Sequence, residues 1–239
     1  MFDQRTMVVT GGSGLLGTAL KKIFPDALFP SKEEFNVIDF TQMEAYLKDR
    51  FVQTIFHGGA FTSPPKIDQD PLKAIEVNIV GTSNIVKLAL KCNARLVYIS
   101  TDYVFKGDKG NYKENDPVFP VNKYAWSKLG GECVVRLYDK SLIIRTTFGP
   151  DVFPFEKAFT DQWTSRECVT KIAAMIAELI KVEQIGVVHV GGKRKSVYDY
   201  ATSLDPLKKI GKISINDISF NIPVDTSLNT ELYDKQITK

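Results

Sequence analysis

The sequence predicts an α/β fold: a doubly wound, Rossmann-like parallel sheet carrying a small C-terminal substrate cap. Three observations predict it. Short apolar runs rich in Val and Ile alternate with longer segments of helical spacing. A glycine-rich turn follows the first of these runs directly. The length, 239 residues, suits one full α/β domain with a large core and falls short of two. Strands alternating with helices form a parallel sheet covered on both faces, and right-handed crossovers make double winding the default.

Taken in order, strands are predicted at Met7 to Thr10, Thr54 to His57, Leu96 to Ser100, Leu142 to Arg145 and Val187 to Val190, with a further one near Ala27 to Phe29. Helices are predicted at Leu15 to Phe24, Gln42 to Arg50, Leu72 to Lys91, Tyr124 to Tyr138 and Thr170 to Lys181. Pro and Gly fall between the elements, as in Ser63-Pro64-Pro65 and Gly149-Pro150. No linker or internal repeat divides the chain, so residues 1–239 read as a single domain in which 150–185 and 191–239 contribute a reduced cap.

The composition, 44% hydrophobic and 25% charged, excludes disordered, collagen-like and membrane classes. A net charge of +3 with interspersed signs gives no nucleic-acid footprint, and the run Lys193-Arg194-Lys195 reads as a solvated loop. Cys92, Cys133 and Cys168 show no paired spacing and read as reduced thiols. With two histidines, His57 and His189, and no ligand spacing, no metal site is predicted. No signal peptide or membrane span is visible, so a cytoplasmic protein without a membrane partner is expected. A homodimer stays compatible with the sequence.

Thr10-Gly11-Gly12-Ser13-Gly14-Leu15-Leu16-Gly17 ends a strand and opens a helix. A pyrophosphate at a helix N-terminus needs backbone N–H groups and no Cβ in the way, which Gly11, Gly14 and Gly17 allow. A nicotinamide dinucleotide is therefore the predicted cofactor. After the second strand, where an acid would bind a ribose 2′-hydroxyl, the chain carries Pro30-Ser31-Lys32. A hydroxyl and a cation suit a 2′-phosphate, which favours NADPH over NADH.

Tyr124 and Lys128 stand one helical turn apart on one face. Ser100-Thr101-Asp102 ends a predicted strand, the place where open α/β sheets gather ligand chemistry. Carbonyl reduction needs a proton donor: the Tyr124 phenol can supply it, Lys128 is expected to lower its pKa, and Thr101 to orient the carbonyl.

The stretches TGGSGLLG, STDYVF, YKENDPVFPVNKYAWSKLGGE from Tyr112 to Glu132, and IIRTTFGP from Ile143 to Pro150 resemble the dTDP-4-dehydrorhamnose reductase family of extended short-chain dehydrogenases. TDQWTS from Thr160 and DTSLN from Asp225 are weaker echoes. The resemblance implies a catalytic trio of Thr101, Tyr124 and Lys128. It further implies cofactor contacts at Gly14, Leu15, Leu16, Asp39, Phe40, Ala60, Phe61 and Thr62, with Asp102 and Phe148 facing the substrate sugar. It implies an NAD(P)H-dependent reductase of the 4-keto group of a nucleotide-linked deoxysugar. The alternatives are a sugar-nucleotide epimerase or dehydratase, and a non-catalytic NADP-binding regulatory subunit. The chain departs from the family at His57-Gly58-Gly59-Ala60, where relatives carry Asn-Ala-Ala-Ala, at Pro64-Pro65, expected to stiffen a loop, and at the short stretch 151–159.

Overall fold

The computed structural model describes residues 2–218 and 221–238; Met1, Ser219, Phe220 and Lys239, which fall within the predicted ranges 1–239 and 191–239, lie outside it. Five parallel strands form the central sheet in the order β1 (Met7–Thr10), β2 (Thr54–His57), β3 (Arg95–Thr101), β4 (Ser141–Thr146), β9 (Gly186–Val190). Each begins and ends within about a residue of its predicted range. The strand expected near Ala27 to Phe29 is reduced to a single parallel bridge between Leu28 and Val8, with Val9 N donating to the Leu28 carbonyl at 2.8 Å. Pro30 follows at once, and proline cannot donate to a ladder. The chain thus leaves β1 toward Leu28 on one side and returns as β2 on the other. That reversal opens a crevice at the carboxyl ends of the strands.

Alternation along the strands explains the two-sided cover. Met7, Val9, Val97, Ile99, Leu142 and Ile144 pack against α1 (Leu15–Ile23) and α7 (Val169–Lys181). Val8, Leu96, Tyr98 and Ile143 point the other way, onto α2 (Phe40–Leu47), α5 (Thr82–Cys92) and α6 (Lys123–Val135).

The Pro64-Pro65 loop is instead the start of a short helix, α3 (Pro64–Gln69), because proline at the first helical positions lacks only an N–H that would have no partner anyway. The single helix predicted from Leu72 to Lys91 is three pieces: α4 (Leu72–Ala74), a π-helical stretch Ile75–Gly81, and α5.

The expected cap ranges divide. Residues 169–181 form α7 and pack into the sheet core, as does Tyr233 of α9 (Glu231–Ile237). The remainder builds a layer of small strands: β5 (Phe148–Gly149) with β8 (Glu167–Cys168), β6 (Lys157–Phe159) with β11 (Gly211–Ile213), and β7 (Trp163–Thr164) with β10 (Lys195–Ser196). Phe153, Ala158, Tyr200 and Ile210 form its core around α8 (Val197–Leu204). In the run Lys193-Arg194-Lys195 the first two residues are exposed and outside any helix or strand, as the solvated-loop reading expects, while Lys195 starts β10. Arg194 stacks on Trp163 at 3.8 Å and pairs with Asp225 at 2.7 Å, and Lys195 pairs with Glu167 at 2.7 Å.

Residues 224–229 strap this layer to the sheet. Trp163 N donates to the Val224 carbonyl at 2.7 Å, Asp225 N to Gly107 O at 2.9 Å and Tyr112 N to Ser227 O at 2.9 Å. Among the described residues no helix is long and apolar enough to cross a membrane.

Candidate active site

A cavity of about 690 Å³ opens over the carboxyl ends of β1 to β4. Its first wall is the glycine turn. Gly11 adopts φ +77°, and a Cβ there would lie 2.7 Å from Gly59 N. A Cβ on Gly17 would overlap the Gly11 carbonyl oxygen. Gly14 caps α1 with no side-chain hydrogen bond, so the helix presents free N–H groups to the cavity. Gly11, Ser13, Gly14, Leu15, Leu16 and Gly17 all line it.

The second wall is the segment after β2, Gly58 to Thr62. His57, buried beneath it, is held at Nδ1 by Thr10 Oγ1 at 2.8 Å and at Nε2 by Thr82 Oγ1 at 3.0 Å. Thr82 gives its own proton to the Asn78 carbonyl at 2.7 Å, so Nε2 must carry the imidazole hydrogen and Nδ1 accepts from Thr10. Burial, with the Lys128 charge nearby, pulls His57 down to about 3 and keeps it neutral. Asn78, in the π-helical stretch, accepts from Phe61 N at 2.7 Å and donates to Phe61 O at 2.9 Å and Ser127 Oγ at 2.8 Å. One amide thus ties this wall to α6.

The third wall holds the groups the sequence marks as candidates for proton transfer. Thr101, Asp102, Tyr124 and Lys128 line the same cavity. Burial, reinforced by the Asp102 charge and opposed by contact with the Thr101 hydroxyl, pushes the Tyr124 phenol well above its ordinary value. Burial pulls Lys128 down to about 7, against the pull of Glu132. The expected lowering of Tyr124 by Lys128 is therefore corrected: desolvation dominates, and the phenol stays protonated. The Lys128 ammonium instead lies 4.2 Å from the Tyr98 ring centroid. Asp102 rises to about 6 through burial, although the Thr226 hydroxyl (2.6 Å), the Arg166 charge and the Thr101 hydroxyl (3.1 Å) all favour its charged form. Beneath them Glu132 accepts from Arg145 at 2.5 Å and from Ser100 at 2.9 Å, a buried pair joining α6 to β3 and β4.

Lys32, Ala60, Phe61, Thr62 and Phe148 also line the cavity, as the sequence led us to expect. Ser31, Asp39 and Phe40 do not. The Ser31 hydroxyl accepts from Glu34 N at 3.3 Å and closes a turn, Asp39 caps α2 by accepting from Gln42 N at 3.0 Å, and Phe40 packs on the core. Residues Asn36, Val37 and Ile38 line that end instead. Sequence reasoning also missed Lys73, Thr147 and Arg166. Arg166 follows the Thr160 to Ser165 echo directly, and a cation there was the available signal.

The sequence profile described as RmlD substrate binding domain matches residues 5–151. A dTDP-4-dehydrorhamnose reductase of Aggregatibacter actinomycetemcomitans is 31% identical over 71% of this chain and 61% of its own length. Methionine adenosyltransferase 2 subunit beta of Xenopus laevis is 32% identical over 55% of this chain and 42% of its own. The chain thus spans from two fifths to three fifths of the length of these curated relatives. Among solved structures, a hypothetical dTDP-4-dehydrorhamnose reductase from Sulfolobus tokodaii superposes with a TM-score of 0.84 at 28% identity, covering 96% of this chain and 93% of that one. The Bacillus anthracis dTDP-4-dehydrorhamnose reductase in complex with NADP shares the fold, with a TM-score of 0.85 at 23% identity over 98% of this chain and 92% of that one.

Proposed function

The chain belongs to the RmlD substrate binding domain family, and from that premise we propose that it is an NAD(P)H-dependent reductase of the 4-keto group of a nucleotide-linked deoxysugar. The observation that carries the proposal is a half-buried, protonated phenol, Tyr124, lining one cavity with Thr101, Lys128 and the glycine turn. The turn fits a dinucleotide pyrophosphate, because Gly11 and Gly17 leave no space for a Cβ and the N-terminus of α1 has no side-chain cap. When bound, the nicotinamide supplies the hydride. The chain's own groups do the rest. Thr101 offers its hydroxyl to the carbonyl oxygen and orients it, and Tyr124 delivers its proton to that oxygen. Lys128, on the same face of α6 one turn further on, would hold the nicotinamide ribose.

The test is steady-state NADPH oxidation with dTDP-4-dehydrorhamnose, with cofactor affinity followed by fluorescence. Tyr124→Phe should lower turnover by about two to four orders of magnitude while leaving cofactor affinity unchanged. A second reading, a cofactor-binding regulatory subunit, draws support from the likeness to methionine adenosyltransferase 2 subunit beta. A wild type that binds NADPH and reduces no 4-keto sugar nucleotide would move the assignment there.

A further inference from the structure

Four cations line the cavity, Lys32, Lys73, Lys128 and Arg166, against one carboxylate, Asp102. Three have a place in the arrangement already described. Lys32 stands beside the glycine-turn end, Lys128 is part of the reactive wall, and Lys73 lies 4.9 Å from the Phe61 ring centroid. Arg166 is unaccounted for. It is half-buried, and among the described residues no carboxylate lies within 4.0 Å of it. Its side chain makes one long hydrogen bond, from Nε to Thr147 Oγ1 at 3.5 Å. Asp102, whose oxygens accept from the hydroxyls of Thr226 and Thr101, feels the Arg166 charge but makes no contact with it within 4.0 Å.

The position of Arg166 narrows what it can serve. Thr147 follows β4, whose last residue Thr146 pairs in register with Thr101. The glycine turn ends β1, three strand spacings or roughly 14 Å away across the sheet. Arg166 therefore faces the reactive groups and not the phosphate cradle. Its backbone is fixed: Arg166 N donates to Thr164 Oγ1 at 3.1 Å, and the neighbouring Ser165 hydroxyl accepts from Leu228 N at 3.0 Å and donates to Leu228 O at 3.3 Å. A guanidinium on a backbone anchored in this way, half-dehydrated and in contact with no carboxylate among the described residues, suits a planar or tetrahedral oxyanion, which it can grip through two parallel N–H groups.

We infer that Arg166 recognises an anionic oxygen group of the substrate close to the reacting carbonyl, either the diphosphate linkage or a carboxylate on the sugar. The inference rests on the reductase reading only for the identity of the reacting groups. Its test is therefore binding to the full chain saturated with NADP, measured by calorimetry. The probes are dTDP, thymidine, UDP-glucose and UDP-glucuronic acid.

If the diphosphate is the anion, Arg166→Gln should weaken dTDP at least about tenfold and leave thymidine unchanged. If a sugar carboxylate is the anion, dTDP keeps its affinity and the wild-type preference for UDP-glucuronic acid over UDP-glucose disappears. Arg166→Lys, which keeps the charge without the fork, should lie between wild type and Arg166→Gln in either case. NADPH affinity should be the same in all three proteins, which also shows that the variants fold. Equal affinities for every probe in wild type and Arg166→Gln, or no binding of any probe by the wild type at millimolar concentration, would overturn the assignment. Loss of dTDP binding in Arg166→Gln, with no turnover by the wild type, would uphold Arg166 and remove the reductase reading.

Discussion

Lys128 is buried at 4% exposure, and dehydration brings its ammonium to about 7 from an ordinary 10.5. The folded-state value lies below the unfolded one, so the group costs stability in full below pH 7, and the cost fades as pH rises from 7 to 10.5. Lys128→Met should thus abolish most turnover yet melt a few degrees above wild type at pH 6, with the gap shrinking by pH 10. Thermal melts at the two pH values check this, and a gap that does not change would contradict the sign. Lys32 makes a second residue-level prediction. It lines the cavity while Ser31 turns away, so Lys32→Ala should weaken NADPH several-fold and leave NADH nearly unchanged in paired titrations. Both lysines were legible in the sequence, one from its spacing to Tyr124 and one from its place after the second strand. Ser31 and Asp39 were misplaced because short polar side chains at turns and helix starts satisfy nearby backbone N–H groups, a local use that motif position does not reveal.

At the scale of elements, the glycine turn is a packing contact between two backbones as much as a ligand cradle. Replacing Gly17 by Ala drives a Cβ into the Gly11 carbonyl and Gly12 Cα, and neither can retreat, because Gly11 already rests against Gly58 and Gly59. The substitution should cost about 1–3 kcal/mol in urea unfolding and weaken NADPH, although residue 17 itself is buried. Unchanged stability would mean that the turn moves as a unit. The five sheet strands were legible because each is a short Val- and Ile-rich run. Helix α8 was missed although Ser196 and Asp199 form a reciprocal cap at its start, a signal present in the sequence. The strand at Leu28 was overcalled: its neighbour Pro30 leaves room for one bridge and no ladder.

Across the whole molecule, the two histidines set the acid limit. Both are buried and neutral, His57 near 3 and His189 near 4, against 6.5 when unfolded. Stability they lend above pH 6.5 is lost as pH falls toward these values, because the unfolded chain binds the protons first. Asp102, raised to about 6, acts in the opposite sense but is one group against two. Urea midpoints should drop between pH 6.5 and 4, and His57→Gln should drop less; a flat wild-type profile would count against this. The cap was the least legible part, since its small strands are held by side chains such as Arg194 and by a strap distant in sequence, neither of which leaves a periodic trace. That strap also orders events in time. The residues of the glycine turn and of the segment after β2 lie within the first 62 of the chain, but Asp102 must wait 124 residues for the hydroxyl of Thr226. A chain growing from the ribosome therefore carries the residues of its glycine turn from the start, but neither the α7 face on which α1 packs nor the partner of Asp102 exists until the C-terminal part has been made.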